Sequence, residues 1–483
     1  MRARALVRLL GALAGMSSLM LLPALLIAAW ERDRTLPVFG WGFVAMAAGG
    51  FALWWLARGA RYELRLRDGF LVTAAAWILV AILAALPLWL AMPGLGLTRA
   101  VFEATSGITT TGATVMTAID ALPASLRFYR QTLNFVGGMG IVVLAVAVLP
   151  MLRVGGMQLM GAERAAAPSR EGKFTPRIAE TAKALWSIYL VLTAACALAY
   201  WAAGMSLFDA IGHSFSTIAT AGFSTRDASI GHFDSPAIEA VAIVFMLVGS
   251  VNFALHYRAW HRASNAHYYA DPEIRVLLAV ALAVSALVTV ALWLEGLYPD
   301  RMTALRHAVF HTVSHLTTTG YATTDFHNWP AALAFLMILV AFVGGCAGST
   351  AGGLKVIRII VLVRQGLLEL TRAIHPKAQL LLKVGNATVP ILVSSAVLAY
   401  FTLFIASLAL FTLLLAACGL DLVTAASAAA SCLLNLGPAL GAAAPSYAAL
   451  PESALWLLSL AMLLGRLEFF TLLVLLTPAF WRS

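Results

Sequence analysis

Two stretches of this chain leave little choice of surroundings. Leu71 to Met92 and Pro390 to Leu415 carry no charged residue, and each exceeds the roughly 18 apolar residues that take a helix across a bilayer. Inside hydrocarbon a helix can satisfy its own backbone, whereas loops and open sheet edges cannot. Several further runs are nearly as apolar. Of the 483 residues, 61% are hydrophobic and only 11% are charged, against about 25% charged in a soluble domain. That composition excludes a soluble enzyme, a disordered chain and a disulfide scaffold. The expected fold is an all-α integral membrane protein embedded in the lipid bilayer.

The basic residues set the topology. With the N-terminus placed in the cytoplasm, 22 of the 32 Lys and Arg fall on that side, in the segments 2–8, 58–67, 153–183, 258–275, 358–383 and at Arg482. Eight fall on the other side, and Lys355 and Arg466 lie at membrane depth. This asymmetry is the positive-inside pattern. The net charge of +10 is thereby read as topology, not as nucleic-acid binding. The stretch from Leu9 to Ala29 is too long for a signal-peptide core and reads as a retained first helix. Cys196, Cys346, Cys418 and Cys432 form no CxxC pair and read as small buried residues.

From about residue 69 one unit recurs four times: a long apolar span, a half-length amphipathic segment, a Gly-containing loop, and a second span. The outer spans are 69–92 and 130–151, 184–203 and 236–256, 274–295 and 330–363, then 389–416 and 453–478. The half-length segments, near 98–110, 206–219, 303–318 and 421–435, are too short to cross and read as re-entrant pore helices. A helix pair at 1–60 precedes repeats at 61–152, 153–257, 258–365 (with a broken second span) and 366–483. Gly112, Gly222, Gly320 and Gly437 anchor an internal comparison. Six residues before each stands Ser106, Ser216, Ser314 or Ser431, and two before each stands Thr110, Thr220, Thr318 or Asn435. Four such segments around one axis predict four pseudo-symmetric repeats enclosing a central pore.

An ion entering a pore must exchange water for protein oxygens, and rings of backbone carbonyls can supply them. Aiming successive carbonyls at one axis demands backbone conformations that glycine adopts at low cost. One glycine per repeat is what a four-lobed carbonyl ring requires. No acidic ring stands at the loops, so neutral carbonyls are the expected ligands. The candidate filter is Thr110, Thr111, Gly112 and Ala113; Thr220, Ala221, Gly222 and Phe223; Thr318, Thr319, Gly320 and Tyr321; and Asn435, Leu436, Gly437 and Pro438.

The loops "TTTGATV", "ATAGFST", "TTTGYATTDF" and "NLGPAL" resemble those of the Trk/Ktr/HKT superfamily of potassium transporters. "RQTLNFVGGMGIVVLAVAVLP" (130–150), "GGCAGSTAGGLKVIR" (344–358) and the extra N-terminal helix pair are most similar to its bacterial TrkH/TrkG branch. The resemblance covers essentially the whole chain. It implies potassium uptake across the bacterial cytoplasmic membrane, with K+ as the transported and bound ion and no organic cofactor. It also implies a homodimer, and a cytosolic nucleotide-binding ring of the TrkA type docked on the basic loops 153–183 and 364–388. Sodium-preferring relatives carry Ser where this chain has Gly112. Ala221, Ala322 and Ala439 stand where relatives often have glycine.

Residues 344–353, "GGCAGSTAGG", interrupt an apolar stretch with ten small or polar residues. Five glycines, each weakening a helix by roughly 1 kcal/mol, argue against a continuous helix. The residues alone suit either a small-residue packing patch or a broken helix. The resemblance implies that Gly344, Gly345, Gly348, Ser349, Gly352 and Gly353 form a gating loop under the filter, with Lys355 at its end. Arg466 lies deep in the last span, where an ionised group is expensive and faces a cavity or a partner. Glu468, two residues on, would point elsewhere on a helix. A contact within the bundle is one role for Arg466; the resemblance implies the other, an electrostatic barrier below the filter. Glu103 and Asp209, near the pore-helix starts, are expected to cap them.

No GxxxxGK[ST] motif is present, which argues against ATP hydrolysis. His307, His311 and His315 fall at helical spacing in the third pore helix. They could mark an integral-membrane enzyme, but polar packing at the vestibule is the expected role. A pathway preferring sodium or ammonium is the alternative within the same fold.

Overall fold

A computed structural model describes residues 2–58, 66–144, 174–385 and 387–482. Among them, six helices are long and apolar enough to cross a membrane: Arg4–Glu31, Leu36–Leu56, Asp68–Ala91, Glu180–Ala202, Pro272–Leu294 and Ile391–Ala417. Two bent helix pairs raise this to eight if each counts as one span. The outward faces are apolar, with Leu282 at 73% and Leu392 at 74% exposure. Apolar faces this extensive suit lipid, not water. The basic loop around Arg153, Arg164, Arg170 and Lys173 lies outside the described residues, as do Arg61 and Arg65.

The N-terminal helices Arg2–Ser17 and Leu36–Leu56 pack through glycine. A Cβ at Gly50 would lie 2.2 Å from the Gly15 nitrogen, and one at Gly11 would lie 2.7 Å from the Trp54 nitrogen. Small residues let backbones approach where apolar burial gives no drive between helices in lipid. The pair is tied to the first repeat through Asp33, which accepts the Ser125 hydroxyl at 2.5 Å.

The four pore helices are Leu97–Ile108, Leu207–Ile218, Arg301–Leu316 and Leu422–Leu434. At about 1.5 Å per residue none reaches across a core of about 30 Å. Ser206, Asp300 and Asp421 cap the last three, accepting the backbone N–H three residues on.

The second spans differ from expectation in one respect. Those of repeats 2 and 4 were expected to run unbroken, as was the one at 130–151, of which Ala124–Val143 is described as helix. Repeat 2 instead divides into Pro236–Gly249 and Phe253–His261, bent by 94°. Repeat 4 divides after Arg466, where Phe470–Leu476 turns away by 106°. Repeat 3 divides into Ala331–Ala341 and Val356–Ile374, as its glycine-rich stretch predicts. Each break has a bonding reason. In repeat 2 the freed carbonyls of Gly249 and Ser250 accept from Thr350 Oγ1 and the Cys346 N–H, at 2.9 and 2.8 Å. In repeat 4 Glu468 and Phe469 take positive φ, and the Glu468 carboxylate leaves the helix line to meet Arg358.

Candidate functional site: a four-loop ring and the loop beneath it

Every pore helix ends in the same turn. The N–H groups of Thr111, Ala221, Thr319 and Leu436 donate to the carbonyls of Ser106, Ser216, Ser314 and Ser431, at 2.8–2.9 Å. The N–H groups of Thr110, Thr220, Thr318 and Asn435 reach back three residues, at 3.0–3.3 Å. This pair of bonds is the Schellman motif, which needs a left-handed residue at its corner. Thr110, Thr220, Thr318 and Asn435 supply it, with φ of 50°, 48°, 53° and 54°. The serine repeat seen in the sequence therefore works through its main chain.

Two residues later each chain turns left-handed again, at Gly112, Gly222, Gly320 and Gly437, with φ of 83°, 82°, 80° and 100°. Here a side chain would strike a neighbour as well as strain the backbone. A Cβ at Gly112 would lie 2.3 Å from the Ala221 carbonyl oxygen, and one at Gly222 would lie 2.1 Å from that of Thr319. At Gly320 the partner is the Leu436 oxygen, at 2.3 Å, and at Gly437 it is the Thr111 oxygen, at 2.6 Å. Repeat 1 thus abuts repeat 2, repeat 2 abuts 3, 3 abuts 4, and 4 returns to 1. The ring closes. All sixteen residues expected at the filter fall in these four loops. Two of their carbonyls are already engaged by protein donors: Tyr321 by Ser314 Oγ at 2.7 Å, and Gly437 by the Tyr447 hydroxyl at 2.8 Å.

After each glycine an arm returns along its pore helix, which defines the upper side of the ring. The turn residues mark the lower side, and there the 344–353 loop is docked. Thr350 Oγ1 donates to the carbonyls of Ile218 and Gly249, at 2.8 and 2.9 Å. The Gly352 N–H donates to Thr318 Oγ1 at 2.6 Å, and the Gly353 N–H to the Leu434 carbonyl at 3.0 Å. A Cβ at Gly352 would lie 2.0 Å from that same Leu434 oxygen. Gly344 and Gly353 press together at the neck of the loop; each would carry its Cβ within 2.9 Å of the other's backbone. Gly345 sits against Ser250 and Ala351. The Gly348 carbonyl accepts from the Phe253 N–H at 3.0 Å, and Ser349 Oγ donates to Cys346 at 2.7 Å. Lys355 Nζ donates to the Ala351 carbonyl and closes the loop. Glu273, on the span Pro272–Leu294, accepts the Ala347 N–H at 2.9 Å.

Arg466 reaches the same place from the last repeat. Its guanidinium donates to Thr110 Oγ1 and, at 2.9 Å, to the Thr350 carbonyl. Arginine, pore-helix turn and loop therefore form one bonded set. Glu468 pairs with Arg358, not with Arg466.

The capping role expected for Glu103 needs correction, and Asp209 does more than cap. Glu103 is buried in mid-helix, where it accepts from Arg130 at 2.8 Å, Thr114 Oγ1 at 2.9 Å and the Val115 N–H at 2.9 Å. Arg130 also donates to the Ser224 carbonyl of the next repeat at 3.0 Å, and it lies 4.2 Å from the centre of the Phe223 ring. Asp209 interacts with the cap residue Ser206, but its carboxylate also accepts from Thr225 Oγ1 at 2.6 Å and Arg226 at 2.8 Å. Both acids hold the arms that follow the ring glycines. The Arg130–Glu103 pair is at most 1% exposed, and removing one partner from such a pair costs about 3–5 kcal/mol. Arg130→Ala is therefore expected to lower the melting temperature in detergent by many degrees, whereas Arg127→Ala on the same helix should change it little. Equal melting of the two variants would contradict the assignment.

Sequence reasoning did not single out Thr350, Arg358, Glu273 or Arg130 for these contacts. The available signal was polarity at membrane depth, as for Arg466. The His stripe is polar packing: His307 Nδ1 meets Thr323 Oγ1 at 2.9 Å, and His315 Nδ1 donates to the His311 carbonyl at 2.9 Å. Among the described residues no group of three or more His, Cys, Asp or Glu is arranged to hold a metal ion.

Residues 36–483 match the family model TrkH, described as "Cation transport protein". The chain is 49% identical to the Trk system potassium uptake protein TrkH of Halomonas elongata, over the whole of both chains. It is 45% identical to the protein of that name from Escherichia coli K12, again over the whole of both. The crystal structure of the potassium transporter TrkH from Vibrio parahaemolyticus superposes with a TM-score of 0.93 at 44% identity, covering all of both chains. These relatives are named as transporters, not enzymes. With the four-loop ring and the extra helix pair already described, the chain belongs to the TrkH family of cation transport proteins.

Proposed function

We propose that this chain takes up potassium through the four-loop ring, across the bacterial cytoplasmic membrane, and that the loop 344–353 gates it. The observation that carries the reading is the closed circuit of glycine against carbonyl from repeat to repeat. Backbone oxygens so fixed exchange for the hydration shell of an alkali ion at no cost in buried charge. The names of the relatives supply the ion. Coordination alone accumulates nothing. The membrane potential supplies about 2.3 kcal/mol per charge per 100 mV, so roughly 150 mV supports on the order of 300-fold accumulation.

Below the ring, the loop and Arg466 are the barrier. The bonds of Arg466 to Thr110 and Thr350 support a role in holding the loop shut with a fixed positive charge beside the path. A cytoplasmic N-terminus follows from the basic-side count. A homodimer and a nucleotide-binding ring of the TrkA type on the loops 153–183 and 364–388 complete the proposal. The test is growth of a potassium-uptake-deficient bacterium in low potassium. Expression of this chain with its cytosolic partner should restore growth; failure to do so with the protein present in the membrane would overturn the reading.

A further inference from the structure

We infer that a side chain at a matching position in each pore helix braces the returning arm of its filter loop, and that these braces set the discrimination between potassium and sodium. The inference deepens the filter reading and rests on it. The braces stand nine residues before the ring glycine in the first three repeats and ten before it in the fourth: Glu103, His213, His311 and Ser427. Their chemistry differs, yet each grips the residue two or three beyond the glycine. Glu103 accepts the Val115 N–H at 2.9 Å and the Thr114 hydroxyl at 2.9 Å. His213 Nδ1 meets the Asp209 carbonyl at 2.8 Å, so Nδ1 carries the proton and Nε2 receives the Ser224 hydroxyl at 2.9 Å. His311 Nε2 accepts the Thr323 N–H at 3.4 Å. Ser427 Oγ accepts the Leu440 N–H at 3.0 Å. All four side chains are buried, at 6% exposure or less.

Where a carbonyl ring separates ions by radius, its oxygens must resist moving inward, and the arms fix how far they can move. The grips are unequal. That of His311 is the longest, and its Nδ1 has no hydrogen-bond partner among the described residues. The arm it holds is also backed by repeat 2, where the Gly231 N–H donates to the Ala322 carbonyl at 3.0 Å. His213, bonded at both ring nitrogens, is the firmest brace outside the Arg130–Glu103 pair. The four are positioning residues; none of them is placed as an ion ligand.

The experiment is ion-replacement flux through the purified full chain in liposomes, reading the potassium-to-sodium ratio. His213→Ala and Ser427→Ala should each lower the ratio about fivefold, the scale of one lost buried hydrogen bond. His311→Ala should lower it less than His213→Ala. His213→Gln and Ser427→Thr, which keep an acceptor, should restore the ratio. Gly112→Ser serves as the control for the filter itself. If the alanine variants keep the wild-type ratio while Gly112→Ser changes it, the braces are overturned and the filter stands. If Gly112→Ser also leaves the ratio unchanged, the filter reading fails and the braces with it. A lowered ratio that the acceptor-keeping variants do not restore assigns these side chains to packing and overturns the inference. Should His213→Ala fail to fold, the Ser427 pair decides, since Ser→Ala removes a single oxygen.

Discussion

Gly222→Ala is expected to reduce potassium flux by at least about a hundredfold. The added Cβ would stand 2.1 Å from the Thr319 carbonyl oxygen, so that oxygen or the whole loop must move by roughly an ångström to reach ordinary contact. The substituted residue must also hold a φ of 82°, a strain of about 1–2 kcal/mol for a residue with a Cβ. Both effects fall on the one level where the loops touch, and the displaced oxygen belongs to the next repeat. Flux of radioactive rubidium into liposomes measures the loss. Gly112→Ser carries nearly the same strain, its Cβ meeting the Ala221 oxygen at 2.3 Å, but its hydroxyl offers a replacement ligand. It should raise sodium permeation relative to potassium while keeping measurable flux. Unchanged flux in Gly222→Ala would mean that the ring does not narrow the path.

Arg466→Ala should act in the opposite direction. A unit charge about 10 Å from a cation, at an effective dielectric constant near 20, opposes it by about 1.7 kcal/mol. Removing it should raise conductance roughly tenfold, without changing the potassium-to-sodium ratio, because the ring glycines and the braces of their returning arms are untouched. The bond from Arg466 to the Thr350 carbonyl adds a second effect: the loop loses one of its fastenings and should open more often. Single-channel recording separates the two, since lost charge raises unit conductance and lost fastening raises open probability. Arg466→Lys keeps the charge but replaces the planar guanidinium, one nitrogen of which makes both bonds, by a flexible ammonium, and should change opening more than conductance. Conductance equal to wild type in Arg466→Ala would remove the arginine from the ion path.

The repeat architecture was legible because each of its parts leaves a local mark. Charge-free runs reveal spans, short amphipathic segments reveal pore helices, and a glycine at fixed offset from a serine reveals the repeated loop. The break at 344–353 was legible because five glycines announce it. The breaks after Gly249 and Arg466 were not. Apolar composition continues through both, and what breaks the helix is a partner distant in sequence: Thr350 and Cys346 for repeat 2, and Arg358 for repeat 4. Glu103 misled for the same reason. Its place near a helix start suggests a cap, while its partners Arg130 and Val115 come from elements that only folding brings together. Position relative to Gly112, compared across all four repeats, would have exposed it as the counterpart of His213 and His311.

The central claim is that the carbonyls of Thr111, Ala221, Thr319 and Leu436 encircle the ion. Anomalous scattering from crystals of this protein grown in rubidium tests it most directly. The account predicts a rubidium peak on the ring axis, at the level of those four oxygens and above Arg466. A best-ordered peak away from that axis, or one held by side chains alone, would contradict it.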